Sequence, residues 1–159
     1  MTPAQLATLK AAILDDPVLN AQGMDGDGLN FVADAMNAVL VPAFTVWRSS
    51  VPIDDIMRNG MDWARVDNLS AGKARIWDWM GRLGSFDPSK ATIRAGIDAA
   101  WVGTAADLAV RAMVYTHCKR DAKRAEKLFS TGTGTIADPA TMTFEGSITP
   151  GDVDNARRS

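Results

Sequence analysis

Proline and glycine residues cut the helical pattern of this chain into short segments. Pro17 and Pro42 each follow a run of apolar residues at helical spacing, and the residue before a proline disfavours the helical conformation. Gly60 and Gly84 stand directly after two further runs, where helices commonly end. The pattern therefore predicts a mainly α fold, built as a compact bundle of short helices.

Helix starts are marked by hydroxyl and carboxylate caps. Thr2 with Gln5 forms a capping-box pattern, and Thr104 with Asp107 resembles another. Asp87 and Pro88 are typical of an N-cap followed by the first helical residue. We expect helical segments, caps included, over residues 2–16, 29–39, 52–59, 61–66, 70–83, 87–101 and 104–129.

Helical spacing also predicts which side chains face the core. In the second helix, it selects Phe31, Val32, Ala35, Met36 and Val39. In the last and longest helix, it selects Leu108, Ala112, Tyr115, Cys118 and Ala122.

The last thirty residues differ from the helical part. Residues 130–135 are rich in Gly, Thr and Ser, and residues 141–148 alternate in the manner of a strand. A single strand must pair with the body or with another chain. The sequence thus predicts a helical body over 1–129 and an extended C-terminal docking arm over 130–159, with one isolated strand and a short terminal helix.

Composition narrows the class of protein. The chain has 159 residues, 47% apolar and 23% charged, with a net charge of −2, which suits one folded domain without a general affinity for nucleic acid. Cys118 is the single cysteine, so no internal disulfide can form, which fits synthesis in a reducing cytoplasm. The N-terminus lacks a signal-peptide pattern, and no apolar run is long enough for a membrane span.

The motifs that suggest chemistry each lack a necessary part. His117 and Cys118 are adjacent, so on a helix they point about 100° apart and form neither a catalytic pair nor a zinc site. Residues 25–28 resemble half of a calcium loop, but the first ligand is missing, and a turn that caps the second helix is preferred. The glycines at 132–134 and the Gly72-Lys73 pair do not complete a phosphate loop. We expect no enzyme, no catalytic residue, no cofactor and no metal.

A basic run follows the single histidine. It holds five cations, Lys119, Arg120, Lys123, Arg124 and Lys127. At the end of a long helix these charges would complement the macrodipole. Alternatively, they form an ionic interface with an acidic partner surface or contact nucleic acid phosphates.

Four segments resemble a small family of tailed-bacteriophage virion proteins. They are residues 2–13, 43–48, 124–134 and 138–148. The likeness spans most of the chain, and its motifs are structural rather than catalytic. The chain is most similar to head-to-tail adaptors, also called connectors or head-completion proteins.

This resemblance implies a mostly helical virion protein of the neck or tail, made in the host cytoplasm. Such adaptors assemble as a homo-oligomeric ring, usually twelvefold, beneath the portal protein, and contact tail or nozzle proteins. DNA passes through the ring without specific binding, and neither a membrane nor a small-molecule substrate is involved. Docking would fall to the C-terminal arm. The implied interaction residues are Lys119, Arg120, Lys123, Arg124, Phe129, Met142, Phe144, Ile148 and Val153.

Other functions stay open at this point. The chain could be another neck, tail-completion or capsid-associated structural protein. A nucleic-acid-binding regulator that uses the basic run is a further alternative, and it predicts duplex binding that weakens steeply with salt.

Overall fold

The computed structural model describes residues 1–159 and contains ten helices and six short strands. The helices are α1 Pro3–Asp15, α2 Pro17–Asn20, α3 Gly26–Asn37, α4 Ile53–Arg58, α5 Trp63–Asp67, α6 Ala71–Gly81, α7 Ala91–Ala100, α8 Ala105–His117, α9 Arg124–Leu128 and α10 Pro150–Arg158. The predicted mainly α fold is therefore confirmed.

The strands form three two-stranded sheets rather than one isolated strand. They are β1 Thr45–Trp47, β2 Val51–Pro52, β3 Ser85–Phe86, β4 Lys119–Asp121, β5 Ser130–Thr131 and β6 Thr141–Met142. β1 pairs with β4, β2 is antiparallel to β3, and β5 is antiparallel to β6. The strand expected over 141–148 is thus only two residues long, and its partner lies in the same chain.

The chain divides into two compact units. The first unit combines residues 1–46 with residues 121–159, and the second is the continuous segment 47–120. The boundaries thus differ from the expected division at residue 129, because residues 130–159 pack within the first unit.

Each unit has its own apolar core. In the first unit, side chains of α1 and α3, such as Leu9, Ile13 and Val32, are buried with side chains of the C-terminal segment. In the second unit, Trp77 packs edge-on against both Phe86 and Trp101. Such aromatic pairs prefer edge-to-face geometry, because the positive ring edge meets the negative face.

Local capping signals explain several helix ends. The Thr2 hydroxyl accepts a hydrogen bond from the Gln5 N–H, and the Gln5 side chain accepts one from the Thr2 N–H. The Thr104 box over α8 is formed in the same reciprocal way. Gly60 follows α4 with a φ of 102°, a conformation that glycine adopts without steric cost. These three sequence predictions are confirmed.

The expected helix over 104–129 is wrong, because the chain leaves the helical path at Cys118. The Arg48 backbone N–H donates to the Cys118 carbonyl, and its guanidinium donates to the His117 carbonyl at 3.1 Å. These carbonyls would otherwise accept bonds from the next helical turn. The Ala122 N–H donates instead to the Phe44 carbonyl. Strand pairing thus replaces the helix over 119–121.

Two smaller expectations also fail. The Asp87 carboxylate accepts from the Ser89 N–H in a tight turn, and α7 begins only at Ala91. The core prediction for this segment is confirmed at Cys118 and Ala122, which are fully buried, but the predicted core side is wrong at the start of α8. Leu108 is exposed, and the buried side is formed by Asp107, Val110 and Val114. Val110, Val114 and Cys118 are apolar at i, i+4 and i+8, so periodicity was consistent with this side as well, and only the buried carboxylate of Asp107 departs from the pattern.

The C-terminal segment completes the core of the first unit. α10 packs against both α1 and α3. Ile148, Val153 and Ala156 are buried there, with exposed fractions of 2% or less. Residues 130–159 are therefore a structural part of the first unit in this conformation and not an arm without a fold of its own.

The burial of Ile148 gives a direct test of this packing. Ile148→Ala should lower the free energy of unfolding by about 2–5 kcal/mol, since it removes buried methyl groups and leaves a cavity. Urea denaturation measures the change. Ile136→Ala is the matched control, because Ile136 is 77% exposed and should change stability by less than about 0.5 kcal/mol. Equal stability of the two variants would contradict the packing described here.

Candidate protein-interaction surfaces

The apolar residues expected to anchor a docking arm lie mainly inside the first unit. Phe129 is buried and packs edge-on against Phe144, with ring centroids 5.5 Å apart. Ile148 and Val153 are also buried, whereas Met142 is half-buried on β6. The structure brings Phe129, Phe144, Ile148 and Val153 together around one core, where their first role is to hold the C-terminal segment in place.

Polar contacts fix the same segment. The Asn37 side chain donates to the Ile148 carbonyl and accepts from the Ile148 N–H, both at 2.8 Å. The Arg157 guanidinium donates to the carbonyls of Leu19, Asn20 and Gln22. A side chain that satisfies both backbone groups of a buried residue leaves neither unpaired, which matters because an unpaired buried group is costly.

The basic run is divided between β4 and the start of α9. Lys123 is the N-cap of α9, and its ammonium group donates to the Gly146 carbonyl and the Ser147 hydroxyl. Arg124 pairs with Asp16 at 2.7 Å, and this hydrogen bond holds the pKa of Asp16 below its usual value. The expectation that the run complements the C-terminus of one long helix is therefore wrong, although Lys127 does lie in the last turn of α9. Lys123 and Arg124 instead join separate parts of the first unit.

Lys119 and Arg120 lie on β4 and are half-buried. The Lys119 ammonium lies 5.1 Å from the Trp47 ring centroid, and the Arg94 guanidinium lies 4.9 Å from the same ring. Trp47 also packs against Tyr115, with centroids 5.5 Å apart. Burial and the nearby Asp98 carboxylate raise the pKa of Tyr115, because each disfavours a phenolate. Trp47 and Lys119 thus lie against Tyr115 in the last turn of α8.

Glu126 explains why α9 begins directly after the strand. Its carboxylate is buried and accepts from the backbone N–H groups of Lys123 and Gly146 at 2.9 and 3.1 Å. The first bond caps α9, and the second holds the C-terminal segment. The sequence signal was available as an acidic residue three positions after Lys123, but the expected long helix concealed it.

The sequence motifs that suggested chemistry have structural surroundings. The His117 ring lies 3.0 Å from the Asn59 carbonyl. Burial raises the pKa of the Cys118 thiol to about 12, because the thiolate is disfavoured away from water. Asp25 accepts from the Gly28 N–H and caps α3, so the predicted capping turn at residues 25–28 is confirmed.

Asp107 is the centre of a charged cluster at the start of α8. It is buried, pairs with Arg65 at 2.7 Å and lies 4.0 Å from the Lys73 ammonium. The Arg65 hydrogen bond, followed by the bond from the Thr104 N–H, lowers the pKa of Asp107 to about 2. The carboxylate therefore stays ionised and serves as both a helix cap and an ion-pair partner.

A cavity of about 420 Å³ opens within the second unit. Its lining is mainly apolar and includes Asp78 and Arg82, which form an ion pair of 2.9 Å. The lining residues are Met57, Val66, Leu69, Ala74, Trp77, Asp78, Gly81 and Arg82. The walls suit an apolar side chain, and the ion pair places charge on α6 beside it.

Two helices each expose an aromatic side chain between like charges. On α3 these are Asp27, Phe31 and Asp34, which we call the acidic stripe, and Phe31 is 47% exposed. On α6 and its C-cap they are Arg75, Trp79 and Arg82, the basic stripe, and Trp79 is 61% exposed. Both stripes have the spacing i, i+4, i+7, which puts three side chains on one helix face.

Sequence reasoning missed both stripes. Helical spacing had assigned Phe31 to the core, but the buried side chains of α3 are Val32, Ala33 and Met36. The signal that separates Phe31 from that face is the pair of aspartates at i−4 and i+3, because charged neighbours mark a solvent-facing side.

Comparisons with protein-family models, with curated proteins and with solved structures found no match to this chain. No group of three or more His, Cys, Asp or Glu side chains is placed to hold a metal ion. None of the ten helices combines the length and apolar character required to cross a membrane. A proposal for the function therefore depends on the surfaces of the two units and on the resemblance in sequence.

The Asp107 cluster predicts a specific loss of stability in acid. A carboxyl whose folded pKa of about 2 lies below its ordinary value of 3.8 stabilises the fold above pH 3.8, and this contribution is lost as the pH falls towards 2. Asp107→Asn should therefore flatten the decline in unfolding free energy between pH 4 and pH 2. Urea denaturation at a series of pH values measures it.

Asp67→Asn is the control for this measurement, because Asp67 is an exposed carboxylate near the end of α5. It should keep the acid decline of the unchanged chain. If Asp107→Asn declines as steeply as this control, Asp107 does not supply the pH dependence.

Proposed function

We propose that this chain is a structural virion protein of a tailed bacteriophage, a head-to-tail adaptor that forms a ring beneath the portal. The resemblance of four segments supplies the family. The structural observation that carries an interaction role is the pair of exposed aromatic stripes on α3 and α6. Large aromatic side chains are enriched at protein interfaces, and charged neighbours keep such a surface soluble until its partner binds.

We retain the C-terminal segment as the element that docks on the portal, but with two roles for its residues. Phe129, Phe144, Ile148 and Val153 hold the segment on the first unit. The exposed side of α10, which includes Asn155 and Arg158, faces the portal. Tail or nozzle proteins contact other parts of the ring, and DNA passes through it without specific binding.

The energetic argument favours docking with the segment folded. Burying a Val or Ile side chain contributes about 1.5–3 kcal/mol, so release of Ile148 and Val153 would cost roughly 3–6 kcal/mol before any contact with the portal forms. Release would also break the Asn37 and Arg157 hydrogen bonds. A partner that binds the exposed side of α10 avoids this cost.

Electron microscopy of the chain mixed with the portal protein encoded beside it tests the proposal. We expect a ring of this chain below the portal. A portal that remains bare would overturn the adaptor assignment. If the chain then binds elsewhere in the neck, the neck or tail-completion alternative is favoured, and salt-sensitive binding to duplex DNA would favour the regulator.

A point substitution tests the docking side more cleanly than a deletion, because a deletion of 130–159 would remove part of the core. Asn155→Trp adds bulk on the exposed side of α10 and should weaken portal binding roughly tenfold or more through steric exclusion. Ala99→Trp, on an exposed position of α7, is the control and should bind normally. Biolayer interferometry with immobilised portal measures both. Equal affinities would remove α10 from the docking surface.

A further inference from the structure

The acidic and basic stripes are alike in spacing and opposite in charge. Asp27, Phe31 and Asp34 occupy positions i, i+4 and i+7 of one helix face, and Arg75, Trp79 and Arg82 occupy the same positions on α6. We propose that the acidic stripe of one copy of this chain binds the basic stripe of a second copy. In this arrangement, Phe31 and Trp79 form the apolar centre and the four charged side chains form two ion pairs around it.

The charges of the acidic stripe have no competing partner within the chain. Asp27 and Asp34 are exposed, and neither makes an ion pair in the structure. Asp27 also lies in the first turn of α3, where the helix dipole favours a negative charge. The acidic stripe therefore presents two carboxylates that have no ion-pair partner in the chain, beside an exposed aromatic ring, and this surface favours a cationic partner.

The cations of the basic stripe make only weak, exposed contacts within the chain, and these can be replaced by contacts to a partner at little cost in free energy. The Arg75 guanidinium lies 5.5 Å from the Trp79 ring centroid, which keeps the cation next to the ring. Arg82 pairs with Asp78 at 2.9 Å, but both side chains are more than half exposed. Such an exposed pair contributes about 0–1 kcal/mol. Arg82 can therefore turn to a carboxylate of another copy with little loss.

The wider charge distribution has the same polarity. The first unit, which contains α3, has eleven acidic and six basic residues, a net charge of −5. The second unit, which contains α6, has eight acidic and eleven basic residues, a net charge of +3. A first unit is thus attracted to the second unit of another copy and repelled by its first unit. This difference selects a head-to-tail orientation during encounter.

The apolar centre supplies affinity that surface charges alone do not. Leu83 follows Trp79 by four positions and is 62% exposed, so it extends the apolar part of the α6 surface. Contact between Phe31 of one copy and both Trp79 and Leu83 of the other would remove all three side chains from water. Aromatic residues in a desolvated centre with charged residues around it commonly dominate binding energy.

The geometry of this contact has a consequence for assembly. The two stripes are different surfaces, so each copy that binds one neighbour through α3 still presents α6 to another. Such an interface propagates from copy to copy and closes into a ring when the rotation per step permits. The inference rests on the proposed function in taking a second copy as the partner, and it names the surfaces through which the copies join.

A charge-exchange experiment tests the pairing. The first variant carries Asp27→Lys and Asp34→Lys, so that both of its stripes are basic. The second carries Arg75→Asp and Arg82→Asp, so that both are acidic. Sedimentation velocity at low salt should show self-association of the unchanged chain, and each variant alone should associate roughly tenfold or more weakly because like charges face each other. An equal mixture of the two variants should recover association.

A control with the same change in charge as the second variant separates stripe contacts from net charge. Arg58→Asp and Lys90→Asp likewise replace two exposed cations, each of which pairs with a nearby aspartate, but they lie outside both stripes. This control should keep most of the association that the second variant loses, because it weakens only the attraction between the net charges of the units and leaves both stripes intact. Circular dichroism establishes that every variant remains helical, and recovery in the mixture shows that the variants are competent to bind.

Several results would overturn the pairing. They are an unchanged chain that stays monomeric as its concentration is raised, a mixture that fails to recover, or a control that is weakened as much as the variants. The portal experiment is independent of this outcome. A chain that binds the portal but fails the charge exchange keeps the adaptor role and loses this interface. A chain that passes the exchange but ignores the portal keeps the interface and loses the adaptor role.

Discussion

The first unit depends on the insertion of the C-terminal segment between α1 and α3. Neither helix has a complete apolar environment without Ile148, Val153 and Ala156. The hydrogen bonds of Asn37 to both backbone groups of Ile148 set where the segment enters. Burial supplies the stabilisation, and these bonds supply the register. A segment with the composition of a linker is thus converted into a core element.

Glu126 links this packing to the path of the chain after α8. One carboxylate oxygen accepts from the N-cap of α9, and the other accepts from Gly146, two residues before Ile148. A buried carboxylate with two backbone donors is well compensated. The same residue therefore starts a helix and positions the segment that closes the core. The basic residues around it, Lys123 and Arg124, fasten neighbouring parts of the same unit.

The sequence predicted those features that depend on a few adjacent residues. The boxes at Thr2 and Thr104 and the glycine after α4 need only local chemistry, and each formed as expected. The prediction failed where distant backbone decided the outcome. The bonds that end α8 come from Arg48, about seventy positions earlier, and no local pattern reports them. The prediction of a mainly α fold is still correct, because only a short part of the expected helix over 104–129 is not helical.

The candidate site shows the same limit. Opposite charges at equal spacing on α3 and α6 are visible in the sequence, but their exposure depends on which face each helix buries. The resemblance implied that the C-terminal segment docks on a partner, but most of the apolar residues of this segment are buried within the first unit. Exposure, more than residue type, separates the side chains that are available to a partner from those that hold the fold together.

The discontinuous first unit has a consequence for the order of folding during synthesis. Residues 47–120 form a continuous unit, so the ribosome delivers all of it before the first unit can close. Until residues 148–156 emerge, α1 and α3 keep Leu9, Ile13 and Val32 without their C-terminal partners. Domains fold as units while the chain is made, and contacts between distant residues form slowly. The second unit should therefore fold first, and the chain should be most prone to aggregation in the interval before residues 148–156 emerge.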